Sequence, residues 1–269
     1  MLWKLLKHEC NATGRIMLPI WAALLVLAVF VNLTDRLFLT IDSVWMDVIA
    51  ALVIMLFAIG CIAAGLMAVV TMVLRFQKSM LSREGYLTHT LPVGVHALIW
   101  SRLLAAVIFI VLTGVVIFVS FMISVAASGV TRDFIDVFRM MWQDIAGTGI
   151  HGVLYIIEFL LMVLVAGLSS CLMFYAAMSI GHSFANYKVL LSVVFYFVLY
   201  CGMQVLGLIF LVVMASSGLV QHMLDTPYME QLFMDTHLLF ILLIVMYLLI
   251  SAVYYILTTL MLKRRLNLQ

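Results

Sequence analysis

Two polar side chains lie inside apolar stretches that are long enough to cross a membrane. Glu158 lies one or two turns inside the stretch 153–180, and Gln204 lies in the middle of the stretch 189–214. An ionisable residue within the membrane is costly, so it marks a functional site by default. Two positions fit Glu158, the headgroup level at the outer surface and a substrate path. Two roles fit Gln204, an interhelical hydrogen bond beside neighbouring glycines and a contact with substrate.

The sequence has no motif that would hold a nucleotide or a catalytic metal. It lacks a GxxxxGK[ST] phosphate loop, a Rossmann glycine fingerprint after a strand, and the HExxH and GxSxG patterns. The four cysteines have no paired spacing, which argues against a disulfide framework and a zinc site. His89, His96 and His182 have no acidic partners at ligand spacing, and we interpret them as solvated loop histidines. We therefore expect no catalytic residue, no metal, no cofactor and no nucleic-acid partner for this chain.

The composition defines the environment of these side chains. Hydrophobic residues make up 67% of the chain and charged residues 10%, whereas a soluble domain carries about 25% charged residues. We expect an all-α integral membrane protein, with residues 1–269 forming a single transmembrane domain. It would have six transmembrane helices together with an amphipathic N-terminal helix and an extracellular interfacial helix. The predicted spans are 16–33, 48–74, 103–127, 153–180, 189–214 and 238–262.

Two other stretches have helical amphipathicity but too much charge to span. Residues 2–15 place Trp3 and other apolar residues on one face and basic residues on the other. We interpret this stretch as a helix in the headgroup region, the alternative being a frayed basic tail. Residues 131–145 repeat apolar side chains at helical spacing, with Trp142 among them, and glycines follow at Gly147 and Gly149. We expect this helix to lie flat on the outer surface.

The basic residues predict the orientation. With six spans, both termini share one side, and this side also holds the 75–102 loop and the 181–188 turn. It carries Lys4, Lys7, Arg15, Arg75, Lys78, Arg83, Arg102, Lys188, Lys263, Arg264 and Arg265, whereas the opposite side carries Arg36, Arg132 and Arg139. The positive-inside rule makes the first side cytoplasmic.

The densest charge lies in the loop 75–102, between the second and third spans. Phe76, Met80 and Leu81 prolong the second span, Gly85 ends it, and the third helix is expected to begin as early as His96. Pro92 pushes the residue before it away from helical geometry. At more than 20 residues the loop is longer than most helix–helix links. We interpret it as a short rigid knob that docks a soluble partner, the alternative being an ordinary connection between spans.

These features resemble the permease subunits of ABC-2 type ABC transporters, particularly short Gram-positive ones. The similarity rests on Glu84-Gly85-Tyr86-Leu87 and Thr90-Leu91-Pro92-Val93, together with the six-span plan. Gly94 departs from the small polar residue expected after the Pro-Val pair. The resemblance implies that the loop is a coupling helix seated on a separate ATP-binding subunit. The residues implied in docking are Arg83, Glu84, Gly85, Tyr86, Leu87, Leu91 and Pro92.

The same resemblance implies the partners and the cargo. Two ATPase subunits, which would bind ATP and magnesium, would work with two permeases, the second being another copy or a paralogue. The complex would lie in a bacterial plasma membrane, among its lipids, and would export amphipathic peptides or other hydrophobic compounds. Two rival functions stay open: a non-transporting accessory or immunity protein that binds a peptide, and an intramembrane enzyme. The enzyme would need His, Glu and Asp side chains converging at one membrane depth, and the sequence shows no obvious set.

Overall fold

The chain is an all-helical, multi-pass membrane protein. The computed structural model describes residues 2–38, 44–81, 95–126, 130–184, 187–218 and 229–264. Within these ranges, six helices are long and apolar enough to cross a membrane. The α-helices are α1 (Leu2–Phe38), α2 (Val44–Phe76), α3 (Val95–Ser124), α4 (Val130–Gly147), α5 (Ile150–Gly181), α6 (Lys188–Ser216) and α7 (Met229–Arg264), and a π-helical turn, Gln77–Leu81, continues α2.

The helices confirm the plan of six spans. The stretch 2–15 and the first predicted span form one helix, because α1 runs without a break through Pro19. At about 1.5 Å per residue, this helix is about 55 Å long and exceeds the hydrocarbon thickness of about 30 Å. The last helix, α7, begins at Met229, nine residues before the predicted start of the sixth span at residue 238. The third membrane helix begins at Val95, close to the predicted start.

The amphipathic stretch at 131–145 is confirmed as a helix. Its apolar side chains lie open, with Phe138 58% and Trp142 56% exposed. Phe134 makes an edge-on contact with Phe121 of α3, with ring centroids 6.4 Å apart. Gly149 precedes α5 with φ of 64°, a left-handed conformation that suits glycine. Gly147 is the last residue of α4, and Thr148 and Gly149 separate it from α5, so the helix ends at the glycines that the sequence indicated.

The chain divides into two compact units. Unit 1 comprises Met1–Arg75 and Leu98–Asp144, and unit 2 comprises Phe76–Ala97 and Ile145–Gln269. In unit 1, Trp21 Nε1 donates to Thr113 Oγ1 at 3.2 Å and Asn32 Nδ2 donates to the Ile123 carbonyl at 2.9 Å. From the first of these contacts to the second, the residue number rises along both helices, so α1 and α3 run parallel.

Small residues bring α1 and α2 close together in unit 1. Ala28 and Ala64 are almost completely buried in one cluster with Leu24 and Phe57. A Cβ on Gly60 would lie 3.3 Å from Leu27 Cδ2, tighter than an ordinary contact. Lipid tails are as apolar as leucine, so helices in a membrane associate through such close packing and through polar contacts.

A shared carboxylate joins the basic ends of the three spanning helices in unit 1. Glu9 Oε2 lies 3.4 Å from Arg75 Nη1, and Glu9 Oε1 lies 3.8 Å from Arg102 Nε. The side chain of Glu9 is 15% exposed and that of Arg102 6%. A buried charge needs a partner, and here one acid serves two guanidiniums. Glu9 therefore connects the N-terminal turns of α1 to Arg75 and Arg102, which lie on either side of segment 82–94.

Unit 2 contains α5, α6 and α7. Phe174 of α5 stacks on Tyr196 of α6 with ring centroids 4.5 Å apart. At the corner between these two helices, Gly181 lies directly against the Ser192 backbone. From the first of these contacts to the second, the residue number rises along α5 and falls along α6, so the two helices are antiparallel.

We predict that Gly181→Ala destabilises this corner. The added Cβ would meet the backbone nitrogen of Ser192 and would lie 2.6 Å from its Cα, so the helices must separate. Overpacking of this kind typically costs about 1–3 kcal/mol. The matched control is Gly167→Ala, because a Cβ on Gly167 of the same helix meets nothing within 4 Å. Thermal unfolding in detergent measures both, and equal midpoints would contradict the contact.

The same corner should lose stability in acid. Burial lowers the pKa of His182 below its ordinary value, and the positive charge of Lys188 lowers it further, although a hydrogen bond to the Met178 carbonyl opposes the shift. The folded state therefore binds fewer protons than the unfolded state. Stability should be greatest above the ordinary pKa of about 6.5 and should fall as the pH drops below it. His182→Gln should flatten this dependence of the unfolding midpoint on pH, and an unchanged profile would contradict the assignment.

Candidate functional site

The predicted docking residues lie outside the described part of the chain. Arg83, Glu84, Gly85, Tyr86, Leu87, Leu91 and Pro92 all fall within 82–94. The helical residues on either side of this segment are described, and both sets belong to unit 2. Their contacts show which helices the segment is connected to.

On the N-terminal side of the segment, the contact is aromatic. Phe76 stacks on Tyr175 of α5 with ring centroids 4.0 Å apart and planes inclined by 8°. Phe76 is 0% exposed and Tyr175 1% exposed, and Met80 in the π-helical turn is also completely buried. Parallel offset rings in a buried site form a stable contact of fixed geometry. A movement at the end of α2 would therefore act directly on α5.

On the C-terminal side, the contact is polar. His96 Nδ1 lies 2.6 Å from the Tyr255 hydroxyl oxygen, and His96 Nε2 lies 3.2 Å from Lys263 Nζ. An ammonium group has donors only, so Nε2 must accept and the ring proton must be on Nδ1. His96 then donates to Tyr255 and accepts from Lys263. His96 is exposed, as predicted, but it lies in the first turn of α3 and joins this helix to α7. The prediction of a solvated histidine is wrong for His182, which is buried and hydrogen-bonded to the Met178 carbonyl.

Between α5, α6 and α7 lies a cavity of about 280 Å³. Its wall combines hydroxyl and amide groups with flexible thioethers. The lining includes Ser169, Ser170, Met173, Tyr200, Met203, Gln204, Met246, Tyr247 and Tyr254. Ligand sites are mostly apolar and contain a few polar groups that orient the ligand. The volume would hold one or two side chains rather than a whole peptide.

Gln204 lies in this cavity wall. Its Nε2 donates to the hydroxyl of Tyr200, one turn earlier on α6, at 2.8 Å. The bond lies within one helix, so the interhelical bond considered from the sequence is not the contact that the structure shows. Gln204, Tyr200 and Tyr247 all line this cavity.

Glu158 lies elsewhere and has a partner. Its carboxylate oxygens are both 2.9 Å from His237 Nδ1 of α7. The Glu158 side chain is 16% exposed and that of His237 13%. Eleven residues of α5 separate Glu158 from Ser169 in the cavity wall, which is about 16 Å along the helix. The two residues predicted for a substrate path are therefore not brought together.

Glu158 and His237 belong to a larger cluster between α5 and α7. His151 Nδ1 lies 3.1 Å from His237 Nε2. The ring of Tyr155 stacks on His237 with centroids 4.4 Å apart. The sequence held a signal for this cluster, because His151, Tyr155 and Glu158 recur at i, i+4 and i+7 on one helical face. His237 gave no such signal, since only the fold brings α7 beside α5.

The distances are consistent with a chain of hydrogen bonds through neutral imidazoles, in which His151 Nδ1 donates to His237 Nε2 and His237 Nδ1 donates to the Glu158 carboxylate. In the described part of the chain, no group of three or more His, Cys, Asp or Glu residues is arranged to hold a metal ion.

Comparisons with protein families, with curated proteins and with solved structures found no match for this chain.

We predict that Glu158 and His237 are energetically coupled. Removing one partner leaves the other partly buried without its charged hydrogen bond, so Glu158→Gln and His237→Gln should each destabilise the protein. In the double variant the second change should cost little more, giving a coupling energy of about 0.5–3 kcal/mol. Thermal or denaturant unfolding in detergent measures the four proteins of this cycle. If the destabilisations of the two single variants simply add in the double variant, the contact between Glu158 and His237 contributes nothing to stability.

Proposed function

We propose that the chain is the membrane-spanning permease subunit of an ATP-driven ABC exporter, with ATP hydrolysed by a separate subunit. One observation carries the proposal: helical residues on both sides of segment 82–94 contact the helices that line the cavity. Phe76 contacts α5 and His96 contacts α7. A soluble partner that pushes on the segment would thus act on the cavity wall. Six helices able to span a membrane provide the frame for such a movement.

The route from the segment to the cavity is short on both sides. Tyr175, which stacks on Phe76, is two residues from Met173 in the cavity wall. Tyr255, which bonds His96, is adjacent to Tyr254 in the same wall. Closure of two ATPase subunits on ATP would displace the segment, and α5 and α7 would shift against α6. The cavity would then alternate between states that admit and release a ligand.

The cavity lining favours amphipathic cargo. Met173, Met203 and Met246 supply adaptable apolar surface. Tyrosine, serine and glutamine side chains supply hydrogen bonds for the polar groups of a peptide. The small volume suits successive side chains, so a larger cargo would also need the surface of a second permease. In this arrangement both termini face the cytoplasm of a bacterial cell, and α4 lies on the outer surface.

The cluster of His151, His237 and Glu158 favours a second candidate, an intramembrane enzyme. These side chains converge at one level of α5 and α7, which is the arrangement that such an enzyme needs. A histidine held by a carboxylate can act as a general base toward water. The enzyme would lose turnover in Glu158→Gln and would need no ATPase partner. The exporter would need the ATPase partner. In the exporter, Glu158→Gln would lower the stability of the protein without abolishing transport.

Co-expression with an ABC ATPase encoded beside this chain distinguishes three functions: the exporter, the intramembrane enzyme and a peptide-binding accessory protein. An exporter should co-purify with the ATPase, and amphipathic peptides should stimulate its ATP hydrolysis. An accessory protein should bind peptide without affecting hydrolysis. Glu84→Ala and Tyr86→Ala test the implied docking residues, and unchanged complex yield and transport in both variants would reject them.

We further predict that Tyr255→Phe uncouples ATP hydrolysis from peptide transport. The change removes the hydroxyl that accepts from His96 Nδ1 and leaves the ring in place. The ATPase should still bind, but peptide stimulation of hydrolysis and transport should fall. The control is Tyr187→Phe, since the Tyr187 side chain is 78% exposed. Full stimulation in Tyr255→Phe would show that this contact transmits nothing.

A further inference from the structure

At the basic end of unit 1, an open groove of about 600 Å³ lies between α1 and α2. Lys7, His8, Asn11 and Arg15 line it from α1, and Arg75 lines it from α2. Three of these five side chains carry a permanent positive charge. The amide of Asn11 and the imidazole of His8 add hydrogen-bonding groups between them. Such a lining is complementary to a phosphate group.

The surroundings of the groove indicate that the phosphate belongs to a lipid. Ile16, at the start of the apolar stretch of α1, belongs to the lining, and Leu18 two residues later is 61% exposed. Trp3 lies one turn before Lys7 on the same helix and is 74% exposed. Tryptophan is enriched at the level of the headgroups. An acyl chain could therefore run along the apolar surface of α1 while the headgroup lies among the cations.

The geometry points to a binding site for the headgroup of an anionic phospholipid, formed by Lys7, Asn11, Arg15 and Arg75. Basic pockets between membrane helices bind acidic lipid headgroups, and juxtamembrane cations bind anionic leaflets. This site is separate from the proposed transport function, since it requires no ATPase and no cargo.

Arg75 gives the site a connection to the rest of unit 1. The same guanidinium contacts Glu9 at 3.4 Å and lines the groove. A bound phosphate and the Glu9 carboxylate would compete for it, with Arg102 remaining as the second partner of Glu9. Lipid binding would thus alter the contacts of Arg75, seven residues before segment 82–94.

The test measures lipid binding by the purified chain in nanodiscs of phosphatidylcholine, titrated with phosphatidylglycerol and read by native mass spectrometry. The parent protein should retain phosphatidylglycerol in preference to phosphatidylcholine. Lys7→Gln and Arg15→Gln should each weaken this retention about fivefold, as expected for loss of one cation near an anionic surface. The control is Arg139→Gln on α4, which removes an exposed cation outside the groove and should leave retention unchanged.

Glu9→Gln provides a variant with the opposite expected sign. Without the competing carboxylate, Arg75 should bind the lipid phosphate more tightly, whereas simple damage to the fold would weaken retention. Equal retention in the parent, Lys7→Gln and Arg15→Gln would overturn the site. An equal loss in Arg139→Gln would overturn it in favour of non-specific attraction. Displacement of the lipid by millimolar inorganic phosphate would overturn the assignment to a lipid in favour of a soluble anion.

Discussion

The constraint on which the structure depends is that a polar group inside a membrane must find its partner within the protein. Continuous helices satisfy the backbone, and the ionisable side chains are satisfied in small groups. Glu9 lies between Arg75 and Arg102 in unit 1. In unit 2, His96 lies between Tyr255 and Lys263, and Glu158 contacts His237. Because apolar packing alone does not drive helices together in lipid, these contacts also determine which helix ends meet.

The two units use this constraint differently. In unit 1, close packing of small residues holds α1 against α2, and polar bonds hold α1 against α3 along its length. In unit 2, the polar and aromatic contacts surround a cavity and leave space between α5, α6 and α7. Tightly packed helices resist rearrangement, whereas a cavity between helices leaves room for a ligand and for movement. In the proposed exporter, the cavity of unit 2 would hold the cargo, and the open groove of unit 1 would hold the proposed lipid headgroup.

Much of the fold was predictable because apolar length alone identifies a membrane helix. The six spans, the helix at 131–145 and the start of α3 follow from hydropathy and periodicity. The end of one helix and the beginning of the next were harder to place, and α1 shows why. Its charged, amphipathic first turns suggested a separate interfacial helix, yet they continue into the first span as one helix of 37 residues with Pro19 inside it.

The candidate site was predictable only where its residues share one helix. Gln204 and Glu158 stand out as polar residues in apolar surroundings, and both have polar contacts in the structure. The partners of Glu158 were missed, because His237 is 79 residues away in the sequence. The contact of His96 with Tyr255 spans 159 residues and could not be found by spacing either. Long-range pairs are set by helix packing, which local patterns do not encode.

The central claim is that movement of segment 82–94 reaches the cavity through α5 and α7. The direct measurement is a distance distribution between spin labels on Ser170 of α5 and Met203 of α6, which both line the cavity. The labels are attached to cysteines introduced in a background without Cys10, Cys61, Cys171 and Cys201, and the chain is reconstituted with the ATPase subunit proposed for it. Trapping the ATPase with ATP and vanadate should shift the distribution, and Tyr255→Phe should reduce the shift. An unchanged distribution in a complex that binds and hydrolyses ATP would contradict the account.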